Sequence, residues 1–155
     1  MNYCQNKEMQ IALRQFVAEE DSDYFVTANF NRNTNIEAAR KALKRWSAMI
    51  DRRLVGKHWS KKNADERMFY FAAAEHIHSN LHWHMLVRLP NEKMKQSFNW
   101  IASNYWKQIV KSGDMNVQLI DNSKDKIKAT NYTAKDLWRT ENYNTFTIST
   151  EFSGL

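Results

Sequence analysis

The stretch RMFYFAAAEHIHSNLHWHMLVRL, Arg67 to Leu89, decides how the chain is read. Two runs rich in aromatic and aliphatic residues flank the polar pair Ser79-Asn80, which is the pattern of two strands joined by a turn. Successive side chains on a strand point to opposite faces, so His82 and His84 share one face and Trp83 and Met85 the other. A turn centred on Ser79-Asn80 places Glu75 opposite His84 with His82 diagonally beside it. Directly opposed Cβ atoms lie about 5 Å apart, so the three side chains can converge on one cation. A three-residue turn would slip this register. Strand parity sends His76 and His78 to the opposite face, towards packing or solvent; a different turn would let His78 replace Glu75 as the third ligand.

The whole chain bounds what such a hairpin belongs to. Its 155 residues make one domain, 1–155, large enough to bury a core, and 43% hydrophobic with 13% aromatic residues argues against disorder. Twenty-three Lys and Arg against 17 Asp and Glu give a net charge of +6, which favours a polyanionic partner, nucleic acid first. The single cysteine, Cys4, excludes a disulfide framework and a Cys-ligated zinc cluster within the chain. No apolar run approaches the length of a membrane span, and the N-terminus lacks the apolar core of a signal peptide, so a soluble cytoplasmic protein is expected.

Working outward from the hairpin, residues 8–18 suit a short amphipathic helix and Tyr24 to Phe30 a strand. Thr34-Asn35-Ile36-Glu37 matches a capping box, opening a helix to about Leu54 with Ile36, Ala39, Leu43, Trp46 and Ile50 along one stripe. Arg40, Lys41, Lys44, Arg45, Arg52 and Arg53 form its solvated face. A basic connection, residues 56–65, leads into the hairpin. Pro90-Asn91 caps a helix over about 92–110, Gly113 ends it, and residues 115–120 alternate as a strand. A third helix is expected over 123–139 and a last strand over 145–150. The order β-α-β-β-α-β, followed by α-β, predicts an α+β fold: a ferredoxin-like antiparallel sheet of about five strands plus a C-terminal helix.

At about 100° per residue the third helix divides into two sides. Ile127, Thr130, Ala134 and Leu137 or Trp138 fall on one, and Lys128, Tyr132, Lys135 and Arg139 on the other. A tyrosine among cations suits contact with phosphate, because nearby positive charge favours the phenolate. A phenol with an ordinary pKa near 10 needs that help to act as a nucleophile at neutral pH.

With these pieces assembled, the sequence resembles the HUH endonuclease superfamily, and within it the single-tyrosine replication-initiator (Rep) nicking domains of plasmids and phages. FVTANF at 25–30, His82-Trp83-His84 with Glu75 upstream, and Tyr132-Thr-Ala-Lys135 are similar to the family's three motifs in order and spacing. The resemblance implies metal-dependent, sequence-specific nicking and joining of single-stranded DNA at an origin or hairpin, through a 5′-phosphotyrosine intermediate. It assigns Mg²⁺ or Mn²⁺ to His82, His84 and Glu75, the nucleophile to Tyr132, and phosphate positioning or transition-state stabilisation to Lys135. Where some phage relatives carry a second tyrosine four residues on, this chain has Asp136. A separate helicase, or a longer natural chain, would supply unwinding. Lys128, Arg139, Lys57, Lys61, Lys62, Arg67 and Arg88 are candidates to track a phosphate backbone, and Trp59 to stack a base.

Two rivals remain. Two histidines and a carboxylate also form the facial triad of non-haem iron oxygenases. That chemistry usually sits in an all-β barrel and leaves Tyr132 unexplained. A non-catalytic RNA- or DNA-binding module explains the charge and the aromatics, but the RNP-type signature is absent and nothing would bring Glu75, His82 and His84 together.

Overall fold

The computed structural model describes the backbone of residues 22–134 and 146–149, and side chains at 22–129 and 147–149. Within these residues the chain forms β1 (Tyr24–Asn29), α1 (Ile36–Leu54), β2 (Phe69–Glu75), β3 (His82–Arg88), α2 (Glu92–Ile109), β4 (Asp114–Leu119), α3 (Ser123–Ala134) and β5 (Phe146–Ile148). The strands make one antiparallel sheet in the order β4-β1-β3-β2-β5. The helix expected over residues 8–18 and the part of the third helix beyond Ala134 lie outside the described residues. No described helix is long and apolar enough to cross a membrane.

Strand parity separates the sheet into two unlike faces. Val26 and Ala28 of β1, Tyr70, Ala72 and Ala74 of β2, and Trp83, Met85 and Val87 of β3 point to one side, where they meet Ala39, Leu43, Trp46 and Ile50 of α1 and Phe98, Ile101, Ala102 and Trp106 of α2. Indole N–H groups fix the layers: Trp46 donates to the Ala102 carbonyl at 3.0 Å and Trp83 to that of Ala39 at 3.3 Å. Each buried indole thus keeps its one donor satisfied while contributing a large apolar surface. The other face carries a smaller cluster of Phe71, Ala73 and Leu86 under Ala129 of α3, with Phe25, Ile120 and Ile148 against it.

Two local expectations shift. Asn35, not Thr34, caps α1: its Oδ1 accepts the Ala38 N–H at 2.8 Å, while the Thr34 hydroxyl turns back to the Arg32 carbonyl. The helix accordingly begins at Ile36. Among the described side chains of α3 Ala129 is buried, and Ile127, assigned to the apolar side, is 62% exposed. The small Ala129 side chain lets the helix backbone come close to the sheet there.

Gly113 sits where α2 returns to the sheet. A Cβ there would lie 2.5 Å from the Asn29 carbonyl oxygen and 2.9 Å from Trp106 Nε1. Trp106 Nε1 donates to that same carbonyl at 2.9 Å, so the methyl would have to break the contact or move β1. Asp51, near the end of α1, is buried at 4% exposure and accepts the Met68 N–H at 3.1 Å through Oδ1. Burial pushes its carboxyl up to about 6, against the lowering effects of the Met68 N–H and of Arg67.

Gly113→Ala should lower unfolding stability by about 1–3 kcal/mol in urea titration, the usual cost of overpacking. For Asp51, the folded state holds its proton up to about pH 6 while the ordinary value is 3.8. Its contribution is therefore fully present below the unfolded value and is lost as pH rises through the folded one. Asp51→Asn should become relatively more stable than the parent between pH 4 and 7, by roughly 1–3 kcal/mol in paired denaturation curves.

Candidate metal centre

Glu75 ends β2 and His82 begins β3, and the two are direct cross-strand partners; His84 pairs with Ala73. The register therefore differs by two positions from the expected one, in which Glu75 faced His84. The cause is the loop. His76 takes a left-handed conformation at φ 54°, and the Ser79 N–H bonds back to the His76 carbonyl at 3.1 Å, so the turn closes earlier than Ser79-Asn80. A slip of two preserves which face each side chain occupies, and Glu75, His82 and His84 still converge.

The convergence is tight. Glu75 Oε2 lies 2.9 Å from His82 Nε2 and 2.5 Å from His84 Nε2, and the two Nε2 atoms are 3.1 Å apart. The side chains of His84, Glu75 and His82 are 6%, 9% and 13% exposed. The remaining ring nitrogens are held from outside. His82 Nδ1 donates to the Asn80 carbonyl at 2.9 Å, and His84 Nδ1 lies 3.2 Å from the Thr27 hydroxyl. Phe25 stacks on the His84 ring at 5.6 Å and 15°.

Those outer contacts decide the chemistry of the inner ones. A carbonyl can only accept, so Nδ1 of His82 carries the hydrogen and its neutral ring presents a lone pair at Nε2. That lone pair faces a carboxylate oxygen at 2.9 Å, and two acceptors so close repel unless a proton or a cation lies among them. Two imidazoles and one carboxylate oxygen, with partners on the distal nitrogens, form a donor set for a divalent metal ion.

His76 departs from parity. Its left-handed backbone turns it away from the opposite face, and Nε2 lies 3.6 Å from Glu75 Oε1 at the exposed rim of the cluster. His78 is exposed in the turn. Thr27 and Phe25 belong to the strand and to the FVTANF motif, but their contact with the His84 ring follows from the β1–β3 pairing Thr27↔His84, which a single sequence does not reveal.

The helix bearing Tyr132 lies on this same face of the sheet, with Ala129 in one apolar cluster with Phe71, Leu86 and Ala73, the cross-strand partner of His84. Tyr132 follows Ala129 by three residues on α3; Lys135 and Arg139 lie outside the described residues. Lys128 is exposed beside a groove lined by Phe25, Gln118 and Ile120. The remaining basic candidates gather elsewhere. Arg88 pairs with Phe69, six positions from the Glu75–His82 pair and about 20 Å along the strands. Lys57, Trp59, Lys61 and Lys62 lie in the connection before β2, where Arg67 sits 5.8 Å from the Trp59 ring.

No protein-family model matches this chain, and no curated protein does. Among solved structures it is similar to the hypothetical protein ORF119 from Sulfolobus islandicus rod-shaped virus 1, at 16% identity and a TM-score of 0.47, over 81% of this chain and 90% of the other.

Mn²⁺ should bind the chain one to one and raise its melting temperature, with saturable heat in calorimetry. His84→Ala should abolish both signals, whereas Thr27→Val, which removes only the partner of Nδ1, should weaken affinity by about 10- to 100-fold.

Proposed function

We propose that this chain is a single-tyrosine nicking and joining endonuclease for single-stranded DNA, with Tyr132 as nucleophile and Glu75, His82 and His84 as the holders of one divalent cation. What supports the reading best is the convergence of those three side chains on the sheet face that also carries α3. The motif resemblance supplies the reaction, and the element order with strands β4-β1-β3-β2 is read as a ferredoxin-like core extended by α3 and β5.

The Tyr132 Oη attacks the scissile phosphorus, the bond from phosphorus to the 3′ oxygen breaks, and that oxygen leaves as a 3′-hydroxyl after taking up a proton. The 5′ side remains as a phosphotyrosine ester. Attack by a 3′-hydroxyl on that ester reverses the sequence and rejoins strands with no external energy source. A bound divalent cation would supply Lewis-acid polarisation of the phosphate oxygens. Glu75 and the two histidines would hold it, and Thr27 and the Asn80 carbonyl keep the rings in orientation. With two imidazoles in the set, Mn²⁺ suits the site better than Mg²⁺, which prefers oxygen ligands and retains its waters. Lys135 is assigned to the transferring phosphate. The biological setting that fits is rolling-circle replication of a plasmid or phage, with a separate helicase opening the duplex.

Incubating the protein with single-stranded origin-like oligonucleotides and Mn²⁺ should yield a covalent adduct on a denaturing gel. Tyr132→Phe should remove the adduct entirely, and excess chelator should reduce it to background. An adduct that survives Tyr132→Phe would sink the assignment of the nucleophile.

A further inference from the structure

Behind the sheet's other end, where α1 finishes and the connection enters β2, lies a partly open cavity of about 150 Å³. That volume exceeds what a single water fills. Three charged residues line it, and two of them are more than nine-tenths buried: Asp51 at 4% and Arg67 at 8% exposure. Trp59 forms a wall, Met68 and Phe69 contribute apolar surface, and exposed Lys44 stands at the rim.

A buried Asp and Arg that serve only stability are expected to close on each other in a two-pronged ion pair, because an unpaired buried charge is costly. Among the described residues no ion pair joins these two. Asp51 uses Oδ1 on the Met68 N–H, and the Arg67 guanidinium lies over the Trp59 ring, 5.8 Å from its centre, a cation–π contact that leaves its in-plane N–H groups for a ligand. Hydrogen-bonding capacity of both signs is thus directed at one small space beside an aromatic surface.

An inorganic anion matches this poorly, since the Asp51 carboxylate would face it at close range. A planar group that offers N–H donors to the carboxylate and acceptors to the guanidinium, and has a π face for the indole, matches on every count. We propose that this cavity is a binding pocket for a single nucleobase, guanine the best fit, with Lys44 placed to meet the phosphate of the same nucleotide. Arginine pairs with the O6 acceptor of guanine, and the N–H groups along the same edge suit Asp51. Stacking beside the Arg67–Trp59 pair supplies affinity common to all bases.

The pocket is separate from the Glu75 cluster, about 20 Å away along β2, so a nucleotide held here belongs to a part of the strand distant from any cleaved bond. Its existence does not depend on the nicking reading.

Calorimetric titration of the full chain, in chelator, with dGMP, dAMP, dCMP and dTMP tests the proposal. Saturable one-to-one binding is expected, tightest for dGMP by at least about fivefold. Arg67→Gln should cost about tenfold or more, and Trp59→Ala about 5- to 100-fold, in variants whose melting curves match the parent's. Tyr132→Phe should bind as the parent does. Absence of saturable binding, Trp59→Ala binding like the parent, or inorganic phosphate competing as well as dGMP would each overturn the pocket. Failure to form a DNA adduct would overturn the nicking reading and leave this one standing.

Discussion

Pairing of β1 with β3 is the constraint from which the rest of this structure follows. It places Thr27 across from His84 and Asn29 across from His82, while Val26 and Ala28 face the opposite way into the core with Met85 and Trp83. One ladder thereby does two things: it closes the large apolar layer under α1 and α2 and orients the imidazoles on the reverse side. An error of one residue would exchange the faces, bringing His82 and His84 into the hydrophobic layer and Trp83 out of it. The cost of burying unpaired imidazoles against exposing a fully buried indole is what holds the register.

The site rests on contacts one layer further out. Three ligand atoms within 4.8 Å of one another need their remaining polar atoms satisfied from elsewhere, or the rings would turn. The Asn80 carbonyl comes from the turn, the Thr27 hydroxyl from a neighbouring strand and the Phe25 ring from the same strand as Thr27. The loop contributes through its left-handed residue, His76, whose conformation ends β2 at Glu75 and lets that side chain sit at the last position before the chain turns. A non-glycine residue in that conformation carries some strain, which the surrounding hydrogen bonds must offset.

How much of this could be read from residues alone differs from element to element. Helix α1 and the hairpin strands were legible because their apolar periods are long, although the cap fell on Asn35 and the turn closed before Ser79-Asn80. The face shared by Glu75, His82 and His84 was legible too, since parity survives a slip of two. Which histidine faces Glu75 was not, because it depends on the backbone angles of His76, and histidine adopts that conformation only in context. The second layer of contacts was out of reach for a different reason. Thr27 and Phe25 become site residues through a strand pairing separated by some 57 positions in sequence. Asp51 and Arg67 are a third kind of case: charged residues usually mark a surface, and only the packing of α1 against the start of β2 takes these two inside.

The layer beneath α1 and α2 contains three fully buried tryptophans, and this has a kinetic meaning. Free energies of local opening follow the apolar contact each element makes, so β1 and β3, paired at the middle of the sheet and backed by this layer, belong to its most protected unit. Their amide hydrogens would exchange with solvent only through excursions that open the whole layer. The imidazoles borne by β3 thus stay where the strands hold them for the lifetime of a single folded molecule.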